Sequence, residues 1–402
     1  MVKCLDWKYI KCTTLTQKVI RRKTRLINHK IDFKSLGVQF SALRGESWLK
    51  ISRLKSAVNT LLVYFILMFT PKSGSKSSVS LRLIKSDKKI QIMEKVKQVI
   101  ICSAGHSGST MLDMIIGAHP KCESLGELLM LPMEFALNHP CTCGNEIRVC
   151  PLWSRVAENL GLDVEGDPYA LNLGYIRASI RADPRVMRRA YIWRVKFFMG
   201  LNYLRLRYGI SFPKMLMHHF NDGIINTMRV FKIVRQLTGK SIVVDSSKQH
   251  SRAVSLYLSA PEETRLIMLV RDGRGVFYSQ LKLHSGQRQG LIAWKSYYSH
   301  LLPLLERYVP EQHVMRLRYE DLVMYPELEC RRICDFLGIT FYPKMIDFTS
   351  VIHHNVNGNR MRRSKNSELY LDDKWKNELS VADIKYFEQH AGSMNRGFGY
   401  KD

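Results

Sequence analysis

The segment that most constrains this chain is Cys102 to Pro120, CSAGHSGSTMLDMIIGAHP, with the apolar run Val99–Cys102 in front of it. A short run of apolar residues reads as a strand buried on both faces. The Gly/Ser turn then gives way to a helical pattern through Met111, Leu112, Ile115 and Ile116. A buried strand, a tight small-residue turn and a helix together aim backbone N–H groups and a helix N-terminus at one point, which favours an anion. Ser107, Gly108, Ser109 and Thr110 are the candidates to close around a phosphate: small residues let the backbone approach, and hydroxyls add donors. An ordinary strand-to-helix turn is the plainer reading of the same residues.

Three more buried strands are expected at Ser241–Val244, Arg265–Val270 and Val314–Leu317, with helical segments between them. Alternating strands and helices predict an α/β fold, a parallel sheet flanked by helices. Ligands of such sheets bind at the carboxyl ends of the strands. A second anion motif falls at such an end. In LVRDGRGVFYS, Leu269–Ser279, a strand ends at Val270 and is followed by Arg271 and, eight residues on, Ser279. A guanidinium fork and a hydroxyl suit one phosphate. A local Arg271–Asp272 salt bridge at a helix start is the alternative.

The charge is uneven. Of a formal net +27, the first 92 residues carry 20 Lys/Arg against 4 Asp/Glu, so the rest of the chain is only moderately basic. Basic surfaces attract nucleic acid, anionic lipid or anionic substrates. No reader motif or aromatic platform accompanies the charge, so no nucleic-acid partner is expected. Residues 1–92 are read as a basic, dispensable extension, and 93–402 as the folded unit, beginning near Met93. The extension holds one apolar run, AVNTLLVYFILMFT at 57–70, shorter than the roughly 20 residues a spanning helix needs. A cytoplasmic protein is expected, with peripheral membrane contact through 57–70, or an anchor there, as the alternatives. Nine cysteines without framework spacing argue against a disulfide-built secreted chain, and no Asn-x-Ser/Thr sequon occurs.

A nucleotide kinase of Walker A type needs Lys after the second loop glycine. Here Gly108 is followed by Ser109 and Thr110. GHSGST instead resembles the 5′-phosphosulfate loop of sulfotransferases that use 3′-phosphoadenosine 5′-phosphosulfate (PAPS), with His106 where that family usually has Arg or Lys. Arg271 and Ser279 resemble the same family's 3′-phosphate site, and the Arg-Asp-Gly-Arg wording is similar to the tyrosylprotein branch. VVDSSKQHSR (Val243–Arg252) and RLRYEDLVMYPELECRRICDFLGI (Arg316–Ile339) resemble segments of bacterial sulfotransferases. GNRMRRS (Gly358–Ser364), with Arg362, resembles the late basic loop that closes over the nucleotide.

The resemblance covers roughly Val96 to the C-terminus. It implies a P-loop NTPase-like fold and PAPS as co-substrate. It also implies sulfuryl transfer to a hydroxyl or amine acceptor (peptide, glycan, lipid or small molecule), giving adenosine 3′,5′-bisphosphate, with no metal required. By the tyrosylprotein branch, Glu127, 21 residues after His106, is the expected general base; a cap on the helix beginning at Leu128 is the other reading. Lys248 and His106 are the expected cations beside the leaving nucleotide, with a solvated surface lysine as the alternative for Lys248. A nucleotide-dependent kinase and a non-enzymatic, basic, membrane-associated protein are the rival functions.

Two stretches fall outside this scheme. Tyr169–Phe220 is rich in Arg and aromatics and reads as a helical insertion that shapes the acceptor pocket, or as a solvated basic face. Cys141, Cys143 and Cys150, with His139 beside them, invite a zinc reading, but one residue between the first two is tighter than usual structural sites. A local structural staple is expected there.

Overall fold

The computed structural model describes residues 96–162, 173, 184–283, 286–363 and 368–401. The extension 1–92, its apolar run, Arg177 and Arg181 lie outside the described residues.

In chain order the elements are β1 (Gln98–Cys102), α1 (Ser109–Gly117), β2 (Cys122–Ser124), α2 (Leu131–Leu137), α3 (Trp153–Leu160), α4 (Pro184–Tyr208) and α5 (Lys214–Thr238). There follow β3 (Ile242–Asp245), α6 (His250–Ser259), β4 (Thr264–Val270), α7 (Gly273–Leu281) and α8 (Gln287–Tyr308). The chain then runs through β5 (Val314–Arg318), α9 (Tyr319–Met324), α10 (Pro326–Leu337), α11 (Trp375–Glu378) and α12 (Val381–Gly397). The five strands form one sheet in the order β2-β3-β1-β4-β5, and every pairing is parallel.

The strand sequences explain their burial. In β1, Ile100 and Cys102 enter one apolar cluster while Val99 and Ile101 enter another. In β4, Leu266, Met268 and Val270 face the first cluster, and Ile267 and Leu269 the second. Successive strand side chains point to opposite faces, so a strand that is apolar throughout needs cover on both. Residues of α3, α5, α6, α7 and α8 cover one face; those of α1, α9 and α10 cover the other. This is the expected P-loop NTPase-like α/β arrangement. The strand order reverses beside β1, so the loops after β1, β2, β3 and β4 meet at one edge, where such sheets bind ligands.

The insertion is two helices of 25 residues each, α4 and α5, rather than one helical run. The break falls at Gly209–Pro213, where a left-handed Gly209 and a proline interrupt the pattern. Tyr191, Val195 and Met199 of α4 pack on Leu129 and Met133, directly after Glu127. The Tyr191 hydroxyl donates to the Leu129 carbonyl at 2.6 Å. Among the described residues no helix is long and apolar enough to cross a membrane.

Candidate active site

The site assembles where β1 ends. Its turn is sharp enough to hold two residues in left-handed backbone, His106 at φ 63° and Gly108 at φ 86°. Gly108 is required twice over: φ is positive, and a Cβ there would stand 2.6 Å from the Tyr319 ring. Ser107, Ser109 and Thr110 are buried around the turn, while His106 is exposed at its tip. Thr110 Oγ1 accepts from the Asn359 amide at 3.2 Å, which brings the late loop's backbone onto the turn.

Arg271 leaves the end of β4 and joins the two anion motifs. It is buried, donates to the His106 carbonyl at 3.0 Å, and lies over the Tyr319 ring with its central carbon 4.8 Å from the ring centre. Its other terminal nitrogen donates to the Asp372 carboxylate at 3.0 Å and to the Asp372 carbonyl at 2.6 Å. The expected alternative, a salt bridge to Asp272, does not form. Asp272 caps α7 by accepting from the Arg274 amide and pairs with the Arg274 guanidinium at 2.8 Å. Ser279 is partly exposed two turns into α7 and donates to Gly275 O at 2.9 Å, so no bond joins it to Arg271.

Glu127 follows β2 on the same edge. It occupies the N-cap position of the short turn Leu128–Met130, yet its side chain makes no capping bond. Instead one carboxylate oxygen contacts the Lys248 ammonium and the other accepts from Asn357 Nδ2 at 3.0 Å. The helix-cap reading of Glu127 therefore fails, and so does the surface-lysine reading of Lys248. Lys248 sits after β3 with φ 55°, a left-handed conformation that a lysine adopts only under constraint. Its side chain is about a fifth exposed, and its partner's about a sixth.

The backbone places this pair. Gly126, at φ 71°, forms a bridge with Val356, where a Cβ would meet the Val356 carbonyl at 2.4 Å. Glu127 N donates to Val356 O at 2.7 Å, and Ser246 N donates to Gly126 O at 2.9 Å. Below them Asp245 accepts from Ser247 and pairs with the buried Arg252 at 2.6 Å.

Although its residue is exposed at the tip, the His106 imidazole is pushed below its ordinary value, first by partial desolvation and then by the charges of Lys248 and Arg271. The neutral ring is thus favoured over a standing cation before any anion arrives.

Arg362 points elsewhere than expected. It is buried and donates to the carbonyls of Asn355 (2.9 Å) and Pro140 (3.5 Å), clamping the late loop to the cysteine loop. Gly358 and Asn359, not Arg362, are the late-loop residues that meet Thr110.

Two contributors escaped sequence reasoning. Asp113 on α1 is fully buried and accepts from the Gly126 amide at 3.1 Å and from Asn355 Nδ2. Burial, then the neighbouring Asp245, hold its carboxyl well above the usual range. A lone acid in the apolar run MLDMII is the signal that marks it. Asn357 lies in an irregular segment with no local pattern to single it out.

A sequence model described as the sulfotransferase family matches residues 213–343. No curated protein matches the chain. Among solved structures, the sulfotransferase domain of the Synechococcus PCC 7002 olefin synthase is 18% identical at TM-score 0.41, covering 79% of this chain and 100% of that one. The sulfotransferase domain of the curacin biosynthetic pathway is 16% identical at TM-score 0.42, covering 74% and 98%. Mycobacterium avium sulfotransferase STF9 is 15% identical at TM-score 0.38, covering 74% and 76%. The matched stretch, residues 213–343, is similar to the sulfotransferase family model and carries Lys248, Arg271 and Ser279.

Proposed function

We propose that this protein transfers a sulfuryl group from PAPS to a hydroxyl or amine acceptor, leaving adenosine 3′,5′-bisphosphate. The observation that carries the reading is the Lys248–Glu127 contact beside the Ser107–Thr110 turn. The Lys248 charge also acts on His106 at the tip of that turn, which supports a shared site.

Transfer breaks the bond from sulfur to the 5′-phosphate oxygen and forms one from sulfur to the acceptor oxygen or nitrogen. The acceptor's proton must leave, and negative charge builds on the departing phosphate. Glu127 is the proton acceptor in this reading. Lys248 answers the charge: when the donor's anion enters the turn, it competes with Glu127 for the ammonium. As Lys248 moves to the bridging oxygen, the Glu127 carboxylate oxygen it had contacted is freed to take the acceptor's proton. The same anion raises the proton affinity of His106, which then donates to it. Asp113 and Asn357 act as positioning residues, fixing the Gly126–Glu127 turn and the carboxylate.

Arg271 and Ser279 are assigned to the 3′-phosphate. The Arg271 guanidinium already holds one anion, the Asp372 carboxylate, through one of its terminal nitrogens. The helix pair α4–α5 packs against the residues after Glu127 and is the natural wall of the acceptor pocket.

The test is a transfer screen with sulfur-labelled PAPS against peptide, glycan, lipid and small-phenol acceptors, run beside γ-labelled ATP. Label moving from PAPS to any one acceptor class supports the reading. Label moving only from ATP makes the protein a kinase and overturns it.

A further inference from the structure

Cys141, Cys143 and Cys150 converge with a residue more than 200 positions away, His354. Their ligand atoms all lie within 4.8 Å of one another. Cys150 Sγ is 3.6 Å from Cys141 Sγ, 3.7 Å from Cys143 Sγ and 3.2 Å from His354 Nδ1; Cys141 Sγ is 4.0 Å from the same nitrogen. These spacings are far longer than a disulfide of about 2.05 Å. They match the edges of a coordination tetrahedron instead. Sulfur bonds of about 2.3 Å and a nitrogen bond of about 2.0–2.1 Å set edges of roughly 3.8 Å between sulfurs and 3.5 Å from sulfur to nitrogen.

We propose that these four residues form a structural zinc site. The loop is shaped to present the thiols. Pro140 bridges Glu146, Cys141 N donates to Asn145 O at 2.8 Å, and Gly144 turns the chain at φ 94°. His139, the nearby histidine, is not a ligand; it bonds Glu134 at 3.1 Å. His354 is held from outside, since Trp153 Nε1 donates to its carbonyl at 2.7 Å. Four protein ligands of this softness suit Zn²⁺ in a closed site that leaves no position for a substrate. On binding, each of the three thiols gives its proton to solvent and the imidazole coordinates as the neutral ring. The product, one Zn²⁺ and three thiolates, carries a net negative charge. Buried Arg362 lies alongside, donating to the carbonyl of Pro140, the residue before Cys141.

The site's place in the fold gives it consequence. His354 precedes Asn355, Val356 and Asn357, which hold Asp113, the Glu127 backbone and the Glu127 carboxylate respectively. Zinc would fasten the cysteine loop to the segment that aims Glu127.

The full-length protein, expressed with zinc in the medium and purified without chelator, tests this without any activity assay. Elemental analysis should find one zinc per chain retained through gel filtration. Cobalt added to chelator-stripped protein should give the d–d absorption of tetrahedral thiolate coordination. His354→Ala and Cys143→Ser should each lose the metal, and His139→Ala should keep it. Should either ligand variant fail to fold, the wild-type measurement decides by itself. A metal-free wild type, a disulfide among the three cysteines by mass spectrometry, or iron in place of zinc overturns the proposal. So does metal binding that depends on His139 and not on His354.

Discussion

The ammonium of Lys248 contacts the Glu127 carboxylate across 121 positions of sequence. Neither residue is held there by chance of surface flexibility. Lys248 is fixed by a left-handed backbone after β3, and Glu127 by the Gly126–Val356 bridge after β2. The pair makes opposite demands on a substitution. Glu127→Gln keeps the shape and removes the proton acceptor, so turnover should fall by about 10²–10⁴ while affinity for adenosine 3′,5′-bisphosphate does not weaken. The melting temperature should shift by no more than a loss of about 1 kcal/mol implies, since the pair is only partly buried and no cap bond is lost. Steady-state turnover, calorimetry and thermal melting on one variant separate catalysis from stability; unchanged turnover removes Glu127 from the mechanism.

Arg271 and Asp372 predict effects of opposite sign. Arg271→Ala should weaken adenosine 3′,5′-bisphosphate binding by about 1.5–3 kcal/mol, the range for charge-assisted hydrogen bonds. Asp372→Asn removes the carboxylate that occupies the guanidinium, and should tighten binding by up to about 1 kcal/mol. Calorimetry that finds both variants weaker would show that Asp372 helps to build the site rather than competing for it.

Gly108→Ala tests the turn. The new methyl meets the Tyr319 ring at 2.6 Å in a backbone that L-residues disfavour. A stability loss of about 1–3 kcal/mol is expected, with donor binding lost alongside it. Chemical denaturation and a donor titration on the same sample read both, and a wild-type-like pair of values contradicts the turn geometry.

His250 opens α6 just after Lys248 and is packed by the rings of Tyr203, Tyr297 and His300. Burial, then His300, hold its imidazole neutral, lowering it from 6.5 to about 4. Between those values the unfolded chain binds the proton and the folded chain refuses it. Stability is therefore full above about pH 6.5 and drains as pH falls toward 4, by on the order of 3 kcal/mol from this group. His250→Phe should flatten the stability profile across that window in denaturant titrations. An unaltered slope would place the acid sensitivity elsewhere.

Much of the fold was legible because buried parallel strands are apolar throughout. Val99–Cys102 and Arg265–Val270 announced β1 and β4 to within a residue. Strand β2 was legible only as an extended stretch before Glu127, since Cys-Glu-Ser is short and mixed, and its pairing with β3 makes it a strand. The Ser107–Thr110 turn and Arg271 could be picked out because each follows directly on a legible strand, β1 or β4. Asn357 and His354 did not, because their meaning comes from partners more than 200 residues away. Arg362 was assigned from loop composition, and composition does not say which way a guanidinium points. The spacing of Cys141 and Cys143 argued against a metal, and nothing local pointed to His354 as the group they meet.

The central claim is that the sheet edge binds a nucleotide bearing phosphates on both its 3′ and 5′ sides. The most direct measurement is a calorimetric titration of the full-length protein with adenosine 3′,5′-bisphosphate, alongside adenosine 5′-diphosphate and ATP with magnesium. One site per chain for the 3′,5′-bisphosphate is expected, at least about tenfold tighter than either competitor, since a 3′-phosphate held by Arg271 supplies about 1.5–3 kcal/mol. Equal or tighter binding of ATP, or no binding of the bisphosphate, would contradict the account.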